Sequence, residues 1–202
     1  MTDSSPLPEH APRPPADGAA NHLPGARMPP ISLPSTTGRP FRVDRVPGPY
    51  ERLVLYAYPL TGLPGVPLPD GWDEIPGARG CTSEACGFRD HARELAEEGA
   101  SVAGLSTQTT SYQQEAVTRL ELPFPLLSDS ERRLATALPL PTFEISLPRE
   151  YDGGGRHQLL KRLTLIVHEG RIERVFYPVV APERHGEEVL EYLRSRRGTD
   201  PR

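Results

Sequence analysis

The chain has two cysteines, Cys81 and Cys86, five residues apart and followed by an amphipathic pattern. A cysteine acts as a nucleophile through its thiolate, which can attack a disulfide or the O–O bond of a peroxide, giving a sulfenic acid in the second case. Gly80 precedes Cys81, and Thr82 and Ser83 follow it as capping residues. The run from Cys81 to Glu98 carries Ala85, Phe88, Ala92 and Leu95 at three- and four-residue spacing, which predicts a helix ended by Gly99. Cys81 therefore opens a helix, where unpaired backbone N–H groups and the macrodipole favour a negative sulfur. Arg79 is close enough in sequence to add positive charge. Five helical residues advance by about 7.5 Å, whereas a disulfide needs Cα atoms within roughly 7 Å. A bond between the two sulfurs would therefore require the first turn to unwind: helical when reduced, unravelled when joined. The plainer alternative is a pair of ordinary thiols, with Cys86 buried in the core.

The elements that must position this helix can be read on either side of it. Leu53 to Tyr58 is a short apolar run that fits a buried central strand. Pro59 to Gly80 is a long Pro- and Gly-rich loop holding Trp72, the only tryptophan, either as part of a lid or substrate wall or as an anchor for a solvent loop. Ser101 to Ser106 predicts the next strand. Tyr112, Ala116, Val117 and Leu120 predict a helix opened by Thr109 or Thr110, and Phe124 to Leu127 a short strand. Ser128 and Asp129 cap a brief helix reaching Leu138. Arg162–Val167 and Ile172–Tyr177 make a hairpin, and a last helix runs from about Glu183 to Arg196. Upstream, Ile31–Leu33 and Phe41–Val43 flank a turn and predict a small N-terminal β-hairpin. Strand–helix alternation followed by a hairpin predicts an α/β fold, a central mixed β-sheet flanked by helices on both faces, matching a thioredoxin-like layout.

Composition narrows the function. The net charge of −4 over 202 residues gives no electrostatic reason to expect nucleic acid or an anionic membrane as partner. No segment has the roughly 18 apolar residues of a membrane span, and Met1 to Pro15 lacks the pattern of a secretory signal. The expectation is a cytoplasmic protein whose thiols are kept reduced. The six histidines are scattered and no Cys/His grouping has zinc spacing, so no metal and no cofactor is expected. Residues 1–27 are Pro-rich and predict a disordered tail, 28–197 the folded domain, and 198–202 a flexible C-terminus.

The block Gly80-Cys81-Thr82-Ser83-Glu84-Ala85-Cys86-Gly87-Phe88-Arg89-Asp90 resembles the active-site helix of the peroxiredoxins, in particular the PrxQ or bacterioferritin comigratory protein group of the AhpC/TSA (redoxin) family. The likeness extends through Tyr58-Pro59, Ser101–Ser106, Leu127-Ser128-Asp129 and Arg162–Val167, and so covers about residues 30 to 195. It implies reduction of hydrogen peroxide or organic hydroperoxides, with electrons from thioredoxin or a similar dithiol protein. It assigns Cys81 as peroxidatic nucleophile and Cys86 as resolving thiol. It further assigns Arg162 as the arginine that polarises the peroxide, and Glu84 as an acid orienting that arginine. The resembling group is often monomeric.

One departure stands out. The group's motif places a threonine three residues before the peroxidatic cysteine, where this chain has Ala78, and Arg79 stands in place of a proline. Against that motif the loop from Pro59 to Cys81 is longer, as an insertion would make it, and Thr61, near Pro59, and Thr82 are the candidate replacement hydroxyls. Two other functions use the same residues: a thiol–disulfide exchanger or redox sensor without peroxidase turnover, and a non-enzymatic scaffold on a degenerate peroxiredoxin fold. Thioredoxin-type exchange uses Cys-x-x-Cys, which is absent.

Overall fold

The computed structural model describes residues 12–197. Its centre is a five-stranded sheet built from β3 (Arg52–Ala57), β4 (Ala100–Ser106), β5 (Leu126–Ser128), β8 (Leu163–His168) and β9 (Arg171–Phe176), in the order β5-β4-β3-β8-β9. β3 pairs parallel with β4 and antiparallel with β8, so the sheet is mixed. Two outlying hairpins join β1 (Ser32–Leu33) to β2 (Phe41–Arg42) and β6 (Thr142–Leu147) to β7 (Gly155–Leu160). The helices are α1 (Cys81–Asp90), α2 (Ala92–Glu97), α3 (Thr110–Arg119), α4 (Arg133–Ala137) and α5 (His185–Arg197). None of the described helices is long and apolar enough to cross a membrane.

β3 is buried on both faces, which is why its sequence reads as an unbroken apolar run. Successive side chains point to opposite sides of a strand. Leu53, Leu55 and Ala57 join one core with Leu33, Val43, Leu105, Leu134, Leu165 and Val167. Val54, Tyr56 and Tyr58 join the other with Phe88, Leu95, Ala116, Ile166, Val189 and Leu193. α4 and the β1–β2 hairpin thus cover one face, and α1, α2, α3 and α5 the other.

Three features differ from the sequence expectations. The helix expected over Cys81–Glu98 is broken at His91, which leaves helical geometry with ψ 6° and separates α1 from α2. The β6–β7 hairpin was not anticipated. It completes a third apolar cluster, in which Leu147, Tyr151 and Leu159 pack on Leu60, Trp72 and Ala78 of the 59–80 loop. Trp72 is buried while Asp70, Gly71, Asp73 and Glu74 around it are exposed, so this long loop meets solvent but is anchored by one aromatic. Finally, residues 12–27 are not a disordered tail. Ala20 and Leu23 are buried in the sheet core, and Gly25 N–H donates to the Ile172 carbonyl at 2.8 Å while Ile172 N–H donates to Ala26 at 2.9 Å. Two apolar side chains and backbone pairing along β9 outweigh the cost of ordering a proline-rich stretch. Residues 1–11 and 198–202 lie outside the described residues.

Candidate active site

The site forms at the C-terminal ends of β3 and β4, where open α/β sheets place their ligands. The antiparallel register sets Ala57 of β3 opposite Leu163 of β8. Arg162, one residue before β8, therefore lies beside the chain as it leaves β3. After the 59–80 loop the backbone returns through Gly80, whose φ of 98° is left-handed. A side chain there would also collide with Pro182, so glycine is required on two counts. Gly80 leaves the start of α1 without a side-chain cap, and Cys81 is the first helical residue.

Cys81 is buried, free, and only 5% exposed. Its Sγ lies 3.1 Å from Arg162 Nη2, which donates to it, and 3.5 Å from the Ala78 carbonyl. Arg162 Nη2 also donates to the Arg79 carbonyl at 3.0 Å, and Nη1 donates to Glu84 Oε2 in an ion pair sealed from solvent. One guanidinium thus holds the sulfur, the turn before it and a carboxylate one helical turn beyond it. Burial alone would make Arg162 easier to deprotonate, but the neighbouring Cys81 and Glu84 outweigh this and raise its pKa. Burial pushes the Glu84 carboxyl up, against the pull of Arg162 and, farther off, His185. Tyr56 and Tyr58, both buried, share a core cluster with Cys81, and Tyr56 stacks on Phe88 at 4.6 Å between ring centroids.

Cys86 is half-buried, free, and packed against the core under α1. Burial raises its pKa, Asp90 adds to that, and Arg89 opposes it. Both cysteines lie within one unbroken helix, so the spacing that forbids a disulfide in helical geometry applies to the observed state.

The structure thus brings Cys81, Glu84 and Arg162 into mutual contact, with Cys86 on the same helix. Thr61 is buried at the same end of the sheet, but its hydroxyl donates to Gln108 Oε1 at 3.2 Å, and its N–H to the same oxygen at 3.1 Å. Its described hydrogen bonds include none to Cys81 or Arg162. Arg79 pairs its guanidinium with Asp73 at 2.5 Å, while its carbonyl accepts from Arg162 at 3.0 Å. Sequence reasoning missed Gln108, which orders Thr61, and Gln113, whose Nε2 donates to Ser106 Oγ and the Leu127 carbonyl, both at 2.9 Å. The signal was present as a run of polar residues, Ser106 to Thr109, directly after a buried parallel strand.

A mixed sheet flanked by helices, with a cysteine opening a helix against a buried arginine, defines a thioredoxin-fold thiol enzyme. Comparison with known proteins gives the family. Residues 75–174 match the AhpC/TSA family. A putative peroxiredoxin bcp of Coxiella burnetii is 27% identical over 169 residues, covering 84% of this chain and 97% of its own. Peroxiredoxin Bcp of Bacillus subtilis is 29% identical over 171 residues, with 84% and 94% covered. The crystal structure of peroxidoxin BcpB from Mycobacterium tuberculosis superposes with a TM-score of 0.63 at 26% identity, over 86% of this chain and 97% of that one. The chain belongs to the peroxiredoxins, in the group of Bcp and PrxQ, and is a thiol-dependent peroxidase.

Proposed function

We propose that Cys81 is the peroxidatic cysteine and Cys86 its resolving partner. The observation that carries this is the Arg162 guanidinium 3.1 Å from a buried sulfur at the first position of a helix. A permanently charged donor so placed holds the attacking sulfur in position and stabilises negative charge on the departing oxygen. The Cys81 thiolate attacks one oxygen of the hydroperoxide. An S–O bond forms, the O–O bond breaks, and the leaving oxygen takes a proton to depart as water or alcohol. Cys81 is oxidised to a sulfenic acid and the peroxide is reduced by the same two electrons. The first turn of α1 then unwinds and the Cys86 sulfur attacks the Cys81 sulfur, forming an S–S bond and releasing water. A dithiol protein of the thioredoxin type returns two electrons and two protons by exchange, which suits a cytoplasmic setting. Glu84 acts as a positioning residue, fixing Arg162 through their ion pair. Thr61, held by Gln108, helps shape the mouth of the site.

The test is peroxide consumption with thioredoxin, its reductase and NADPH. Cys81→Ser should abolish turnover. Cys86→Ser should take up one equivalent of peroxide as sulfenic acid, recycle poorly, and consume a second equivalent in passing to sulfinic acid, visible as a mass gain of two oxygens. Full turnover by Cys81→Ser would overturn the assignment. Disulfide formation driven only by another disulfide, never by peroxide, would favour a thiol exchanger.

A further inference from the structure

Next to the catalytic group lies a small apolar cavity of about 160 Å³, and one of its walls is the N-terminal segment. Ile75, Phe143, Lys161, Tyr177 and Val179 line it from the domain, and Pro14 and Pro15 line it from the N-terminal segment. Arg162 belongs both to this lining and to the ligands of the Cys81 sulfur. Gly77, also in the lining, directly precedes Ala78, whose carbonyl is 3.5 Å from that sulfur. The Pro14 ring lies so close to Gly77 that a Cβ built there would meet it at 3.3 Å.

The segment is latched in this position. Asp17 Oδ2 accepts from Lys161 Nζ at 2.9 Å and from the Tyr177 hydroxyl at 3.2 Å, and Asp17 Oδ1 accepts from Ala19 N–H at 3.0 Å. Lys161 is the chain's only lysine and the neighbour of Arg162. Its hydrogen bond, with those from Ala19 and Tyr177, lowers the Asp17 pKa to about 2, so the latch is charged at any physiological pH. Farther along, backbone bonds from Gly25 to Ile172 of β9 and from Met28 to Gly170 in the turn before it pin the segment independently.

We propose that residues 14–17 form a strap that sets substrate choice, walling a subsite for the hydrocarbon tail of an organic hydroperoxide. This rests on Cys81 being the peroxidatic cysteine. The cavity size sets the tail: an apolar cavity of about 150 Å³ accommodates benzene, so the subsite suits about six carbons. Apolar lining favours such a tail over water, and the prolines, stiff and without N–H groups, close the cavity without leaving a buried donor unpaired. Longer or bulkier tails meet the strap. Hydrogen peroxide has no tail and leaves the subsite unused.

Two measurements on the full-length protein test this. The first compares kcat/KM for hydrogen peroxide, cumene hydroperoxide and an eighteen-carbon fatty acid hydroperoxide in wild type, Asp17→Ala and Pro14→Gly/Pro15→Gly. Loosening the strap should lower the cumene-to-hydrogen-peroxide ratio at least threefold and raise the fatty-acid-to-cumene ratio by as much or more. Ratios unchanged in both variants would overturn the proposal. The second does not need turnover: 2-phenylpropan-2-ol, the alcohol left by cumene hydroperoxide, is titrated into Cys81→Ser protein and the methyl signals of Ile75 and Val179 are followed by NMR. Saturable shifts that weaken in the strap variants are expected. Shifts that miss these methyls, or that ignore the strap, would sink the subsite. Failure of peroxidase assignment appears separately, as wild-type protein inert to all three peroxides.

Discussion

The two ends of α1 are held by different forces. The front, from Cys81 to Ala85, is held by charge: Arg162 grips the sulfur and the Glu84 carboxylate from the same guanidinium. The back, from Gly87 to Asp90, is held by shape. Phe88 is fully buried, stacked on Tyr56 and edge-on to the His185 ring at 5.7 Å. Beside it the backbones of α1 and α5 touch, since a Cβ added at Gly186 would meet the Gly87 carbonyl oxygen at 2.7 Å. In the proposed cycle, oxidation of Cys81 replaces the sulfur that Arg162 grips and so weakens the front, while it leaves the shape of the back untouched. The proposed mechanism requires the helix to let go at one end, between Gly80 and Cys86, while these contacts keep the other fastened.

Truncating the anchor on each side should separate the two. Phe88→Ala should cost about 3–5 kcal/mol by urea denaturation, and the same in the reduced and the disulfide forms. Glu84→Ala removes the carboxylate partner of a buried guanidinium and should cost a comparable 3–5 kcal/mol in the reduced protein. In the disulfide form, with the front turn already released, that cost should shrink to less than half. Equal losses in both redox states would erase the distinction between the ends. Gly186→Ala should force α5 off α1 and cost about 1–3 kcal/mol, again independent of redox state.

A smaller effect concerns pH. Burial raises the Cys86 pKa above its ordinary value of 9.0, so little thiolate is present at neutral pH while α1 is folded. The rate of disulfide closure after sulfenate formation should therefore rise with pH through the alkaline range, as the reactive fraction grows. Stopped-flow fluorescence of Trp72 in single-turnover experiments would follow it. A closure rate that is flat from pH 6 to 9 would mean that unwinding, not Cys86 ionisation, limits the step.

Much of this was legible in the sequence because local chemistry and tertiary need coincide there. The apolar run of β3 and the stripe Ala85, Phe88, Leu95 could be read directly, and both lie in the core. The helix break at His91 was not legible, because Arg89 to Arg93 contains no proline or glycine to announce it. The β6–β7 hairpin was overlooked although Thr142 to Leu147 alternates apolar and polar residues with a strand's period. Residues 12–27 misled through their composition: burial of Ala20 and Leu23 depends on a β9 edge that no local pattern reveals. At the site, the types and spacing of Cys81, Glu84 and Cys86 were visible within one helix. The approach of Arg162, 81 residues away from Cys81, came only through resemblance, since strand register decides it. The turning of Arg79 toward Asp73 could not be foreseen from spacing that favoured neither partner.

The pairing of Ala57 with Leu163 carries a consequence for how the protein can fail. Successive strand residues look to opposite sides, so sliding β8 by a single step would deliver Lys161 or Leu163 to the sulfur instead of Arg162. Such a molecule could keep nearly all its secondary structure and still be chemically silent. Activity per folded molecule is therefore a gauge of how faithfully the middle of the sheet was zipped.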